Sequence, residues 1–118
     1  MVYTGPLRTV FTTERFDHWF ARLRDARAKA RINARIRRAE DGNLGDSAPI
    51  GEGVFEMRIH CGPGYRIYFI QRGASWNPDQ RTQGSGELIV LLAGGDKSTQ
   101  AKDIKTALGL AQQFKEGS

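Results

Sequence analysis

Apolar residues follow helical spacing in the first third of the chain and strand alternation in the second half. After Gly5-Pro6, residues Leu7 to Phe11 read as a strand with Leu7, Thr9 and Phe11 on one side. Thr12-Thr13-Glu14 reads as a helix start, with a hydroxyl for the N-cap and acids (Glu14, Asp17) in the first turn. Phe16, Trp19, Phe20 and Leu23 then fall at i, i+3, i+4 and i+7, an apolar stripe better suited to a core than to base stacking. Asp25 offers a second N-cap, so the helix either breaks or bends there. Its continuation runs to about Glu40 with Ile32, Ile36 and Ala39 inward, giving a helical hairpin. Asp41-Gly42-Asn43 ends it, because Gly and Asn tolerate the left-handed conformation of a helix stop.

In the second half, Phe55, Met57 and Ile59 alternate with Val54, Glu56, Arg58 and His60. Beyond Gly62-Pro63-Gly64, Tyr65, Ile67 and Phe69 alternate with Arg66, Tyr68 and Ile70. Two half-buried strands joined by a tight turn are predicted. Keeping both apolar sets on one face requires pairing Arg58 with Arg66, Glu56 with Tyr68 and Ile59 with Tyr65. That leaves a loop of Cys61, Gly62 and Pro63, with Gly64 placed for a bulge.

Residues 73–86 are polar and read as a long loop, a kind that is uncommon in compact domains unless functional or disordered. Leu88 to Ala93 is a continuous apolar run, as expected of a central strand covered on both faces. Gly94-Gly95 breaks it, Asp96 to Thr99 resembles a cap, and a last helix places Ile104, Leu108 and Ala111 inside. The expected order is strand, helix, helix, three strands, helix. This is one α+β domain over residues 1–118, with a mostly antiparallel sheet.

Composition narrows the function classes. A chain of 118 residues is near the commonest domain size and needs no disulfide or metal staple. No apolar run approaches the roughly 20 residues of a bilayer span, and the N-terminus lacks a basic-then-apolar secretory pattern. Cytoplasmic location is therefore expected. The single cysteine, Cys61, excludes an internal disulfide and any paired-Cys zinc site. Eighteen Lys and Arg against thirteen Asp and Glu give a net charge of +5. Arginine, which dominates the basic set, suits phosphate through its planar fork. A nucleic acid or an acidic protein is the partner this balance favours.

Two clusters concentrate the candidate chemistry. Arg24, Arg27, Arg31, Arg35 and Arg38 step by three or four along the second helix and share a face. They form either a solvated outer face or a grip on a polyanion; like charges at that spacing repel, and an anionic partner removes the cost. The predicted register also gathers Glu56, Arg58, His60, Arg66 and Tyr68 on one sheet face. Two arginines directly across strands disfavour each other unless an anion lies between them, either a phosphate or Glu56 itself. Such a pair could stabilise charge on a five-coordinate phosphorus, with His60 and Tyr68 as titratable groups. The scattered acids and two histidines make no convincing metal set. Gly94 to Gln100 lacks the order of a P-loop and reads better as a simple cap.

Several blocks together resemble the addiction-module killer proteins, HigB-like toxins of the RelE/ParE superfamily in type II toxin–antitoxin systems. They are Asn43-Leu44-Gly45-Asp46, Gly51 to Ile59, Gly62 to Phe69 and Leu91 to Gln100, in order between about Thr12 and Ala111. The resemblance implies a RelE-like fold: a helical hairpin on a mainly antiparallel sheet, then a C-terminal helix. It also implies a metal-independent, cofactor-free endoribonuclease that cuts mRNA on the ribosome through attack of a 2′-hydroxyl on the adjacent phosphate. Arg58, Arg66 and Lys97 would then bind the phosphate and transition state. His60 or Tyr68 would be the general acid or base, Glu56 would orient the arginines, and the arginine stripe would grip ribosomal RNA. The implied partner is an antitoxin, typically a helix-turn-helix DNA-binding protein, with operator DNA reached only through that complex. The superfamily's ParE branch inhibits DNA gyrase instead. Two departures stand out: Ala93 replaces a Cys common before the double glycine, and the 73–86 loop is long for the family.

Overall fold

The computed structural model describes residues 8–73 and 87–114. The elements run β1 (Arg8–Thr12), α1 (Glu14–Arg22), α2 (Ala26–Glu40), β2 (Ser47–Gly51), β3 (Val54–Ile59), β4 (Tyr65–Arg72), β5 (Glu87–Asp96) and α3 (Gln100–Ala111). The five strands form one open sheet in the order β1-β5-β4-β3-β2; β1 joins β5 in parallel and every other pairing is antiparallel. The α+β architecture with a C-terminal helix agrees with the sequence reading. Residues 74–86, where the long loop is expected, lie outside the described residues.

Caps place the helices. Thr13 Oγ1 accepts from the Phe16 amide at 3.1 Å and donates to the Leu92 carbonyl at 2.7 Å, so one hydroxyl starts α1 and ties it to β5. Leu23 is already extended, and Asp25 caps α2 by accepting from the Arg27 and Ala28 amides at 3.0 and 3.2 Å. Of the two alternatives at Asp25, the chain takes the break. At the far end Gly42 turns with φ of 93°, and the Asn43 amide closes on the Arg38 carbonyl.

The sheet is buried on both faces. Phe16, Ala28 and Ile32 of α1 and α2 pack on Met57, Ile67, Phe69, Ile89 and Leu91. On the opposite face Ala107 and Ala111 of α3 pack on Val54, Ile70, Val90 and Leu92. Alternate residues of β5 therefore go to opposite layers, which accounts for its unbroken apolar run. In β1 the inward residue is Val10, while Phe11 is exposed.

The hairpin register is the one that parity requires: Glu56 opposite Tyr68, Arg58 opposite Arg66 and Ile59 opposite Tyr65. The ladder stops at that last pair, so His60 and Gly64 join the turn, with Gly62 and Gly64 both at positive φ. One strand corrects the expected order, which had four: Ser47–Gly51 forms β2 at the sheet edge. Pro49 and Gly51 obscure it in the sequence, and an edge position is where a strand tolerates them.

Candidate functional site

Glu56, Arg58 and Arg66 converge on the α3 face of the β3–β4 hairpin. Glu56 is buried, and its Oε2 lies 3.1 Å from Arg58 Nε and 3.8 Å from Arg66 Nη1. Its other oxygen accepts from Gln100 Nε2 at 2.7 Å, in the first turn of α3. Of the two anions that could separate the arginines, the internal carboxylate occupies the gap. Arg66 is nearly enclosed and its Nε has no partner among the described residues, whereas Arg58 keeps 39% of its side chain exposed.

A second carboxylate completes the cluster. Asp46 Oδ1 pairs with Arg58 Nη1 at 3.3 Å, and Oδ2 meets His60 Nε2 at 2.6 Å. The His60 hydrogen bond, aided by Arg58, holds the Asp46 carboxyl below the usual aspartate range. His60 itself projects into solvent, 77% exposed. Tyr68 is completely buried, and its hydroxyl has no partner among the described residues. Burial, reinforced by the Glu56 charge, pushes that phenol far above its ordinary value. It stays neutral at any physiological pH. Lys97 is exposed on the turn into α3, where its Cβ faces the hairpin glycine Gly64.

The arginine stripe divides into unlike parts. Arg24 precedes α2, in the link between helices, rather than lying on it as the stripe reading had it. Arg27, Arg31 and Arg38 are exposed on the helix. Arg35 turns inward: its guanidinium donates to the carbonyls of Arg58 and, at 3.1 Å, Leu44. Burial lowers its basicity. It clamps α2 to the end of β3 and to the loop that carries Asp46. Gly45 permits this, since a Cβ there would stand 2.7 Å from Arg35 Nη2 and the backbone has φ of +65°. Arg31, Arg35 and Arg38 also line a cleft of about 290 Å³ that ends at Ile59 and His60. The basic helix face and the hairpin end thus border one hollow.

The double glycine has a structural task. A Cβ on Gly94 would stand 2.2 Å from the Trp19 ring, and one on Gly95 would stand 1.8 Å from Asp103 Oδ2. The two glycines admit α1 and α3 from opposite sides of β5. The following turn is a capping box, with Ser98 N donating to Asp96 Oδ1 at 2.8 Å and Asp96 N to Thr99 Oγ1 at 3.2 Å. This is the cap reading of the motif.

Asp46 and Gln100 are the site residues that pattern reasoning missed. Asp46 closes the block Asn43-Leu44-Gly45-Asp46 and Gln100 the block Leu91 to Gln100, but each reaches the cluster from a distant loop or helix, where strand parity gives no signal.

Over 103 residues the chain is 48% identical to an uncharacterized protein of Haemophilus influenzae, a match spanning 87% of this chain and 92% of that protein. The chain belongs to that protein's family. No family model matches it, and no solved structure does.

Proposed function

We propose that this chain is a RelE-like, HigB-type toxin of a type II toxin–antitoxin system, acting in the cytoplasm as a ribosome-dependent mRNA endoribonuclease. The observation that carries the reading is the pair Arg58 and Arg66, directly opposed across two strands and held on one buried carboxylate, beside the exposed His60–Asp46 pair. Fixed guanidiniums are the groups that stabilise extra charge on a phosphorane at little reorganisation cost.

In this scheme the mRNA phosphate meets the exposed edge of Arg58, with Lys97 on the neighbouring turn and Arg66 behind. The attacking 2′-oxygen gives up its proton, bonds to phosphorus and displaces the 5′-oxygen. The products are a 2′,3′-cyclic phosphate and a 5′-hydroxyl, which takes up a proton. His60 is the group suited to the proton transfer, since it is exposed and Asp46 fixes its ring. Tyr68 is sealed and neutral, so its place is under Glu56 as packing. Glu56 and Gln100 orient the arginines, Arg31 and Arg38 bind RNA backbone along the adjoining cleft, and Arg27 extends that contact along α2. The partner is a cognate antitoxin of the helix-turn-helix kind.

Primer extension on a defined mRNA in a translation reaction tests this. Cuts at codon positions that require both ribosomes and protein, and that vanish in a folded Arg66→Ala variant, are expected. Intact mRNA from protein that is toxic on induction would overturn the nuclease reading and direct the next assay to gyrase supercoiling.

A further inference from the structure

A second concave surface lies between α1 and α3. Arg15, His18, Trp19 and Arg22 fall at i, i+3, i+4 and i+7 of α1, so they share one face, and Lys102 and Thr106 of α3 oppose them. The floor is Ala93 and Gly94 of β5, and the hollow holds about 300 Å³. It is open because β1 pairs with β5 only as far as Leu91, which leaves the later residues of β5 with β4 as their sole sheet neighbour. An adjoining hollow, sharing Arg15 and His18, runs on to Leu110 and Phe114.

Across the hollow Arg15 Nη2 donates to Thr106 Oγ1 at 3.5 Å, a neutral partner that leaves the arginine's charge unbalanced. Arg15, Arg22 and Lys102 are exposed, and none of them makes an ion pair within the described residues. The one carboxylate in the first hollow, Asp103, is engaged by Thr99 Oγ1. The trough thus runs from a basic end, with an indole in its wall, to a mixed end where Leu110 and Phe114 supply apolar surface beside Thr13, Glu14 and Gln113.

We propose that this trough docks an acidic segment of a protein partner, with carboxylates at the Arg22–Lys102 end and an apolar side chain at the Leu110–Phe114 end. Charge complementarity selects an acidic occupant. The change of character along the trough, together with Glu14 lining its far part, favours a peptide over a polyphosphate chain, whose negative charge repeats at every unit. None of these residues belongs to the proposed nuclease site, so the two readings stand or fall separately.

The sequence has two tryptophans, so a Trp76→Phe background leaves Trp19 as the sole indole reporter. The probes are a synthetic octaglutamate carrying two C-terminal leucines and an oligouridylate of equal charge. The peptide is expected to change Trp19 emission saturably. Arg22→Glu and Lys102→Glu should each weaken that binding about tenfold, and Lys102→Gln by less, while Arg58→Ala leaves it unchanged. Far-UV circular dichroism checks that every variant folds. The proposal is overturned by equal peptide affinity in the charge-reversed variants, by saturation with oligouridylate but not peptide, or by no emission change with either probe.

Discussion

Glu56 holds its charge out of water between two guanidiniums, with Gln100 on its free oxygen. Removing one member of such a group leaves the others desolvated and unpaired. Glu56→Ala should therefore lower stability by about 2–3 kcal/mol, read as a shift in urea midpoint at constant m. An unchanged midpoint would mean that Glu56 is not what holds Arg66. Asp46 gives a pH signature. Its carboxyl titrates below its ordinary value in the fold, so the stabilisation is present above about pH 4 and is lost as pH falls through the lowered folded value. Asp46→Asn should flatten the acid limb of stability below about pH 4. An acid limb as steep as the wild type's would sink that assignment. At this scale the sequence exposes Arg58 and Arg66, because strand parity sets them opposite each other. It hides Asp46 and Gln100, whose side chains arrive from a loop and a helix that no local periodicity connects to the hairpin.

The elements meet most closely at the end of β5. Trp19 of α1 occupies the space above Gly94, and the Trp19 ring is further fixed by edge contact with Tyr65, centroids 6.2 Å apart. An indole cannot yield as a flexible side chain does. Gly94→Ala should cost about 2 kcal/mol through overpacking. Gly109, in the interior of α3, is the matched control: nothing lies within 4 Å of its hypothetical Cβ. Gly109→Ala should stabilise by up to about 1 kcal/mol, since alanine restricts the unfolded chain and favours helix. Equal effects of the two substitutions in denaturant melts would refute the packing account. The helices, the central strand and the hairpin were legible because each has a period or a cap. The edge strand β2 was not, because Pro49 and Gly51 carry loop chemistry and only pairing with β3 makes the segment a strand.

For the whole molecule, the RNA reading makes association salt-sensitive, but the arginines behind the +5 charge do not share in it equally. Arg31 is exposed on α2, whereas Arg35 is committed to backbone carbonyls. Under the RNA reading, Arg31→Gln should reduce the slope of log affinity against log salt by roughly 0.7 and leave stability alone. Arg35→Gln should instead lower the urea midpoint, with little change in that slope. The opposite pattern would mean that Arg35 is a phosphate ligand.

The parallel pairing of β1 with β5 also sets a schedule. The first strand waits for residues 79 positions later before its edge is covered, and the tie from Thr13 to Leu92 spans the same distance. At roughly 5–20 residues per second, synthesis of that stretch takes about 4–16 s. During that interval α1 has neither its anchoring carbonyl nor the glycine floor beneath Trp19. Completion of the domain is thus a late and collective event in the life of the nascent chain. Protease resistance of the N-terminal third should arise only after Leu92 has left the ribosome.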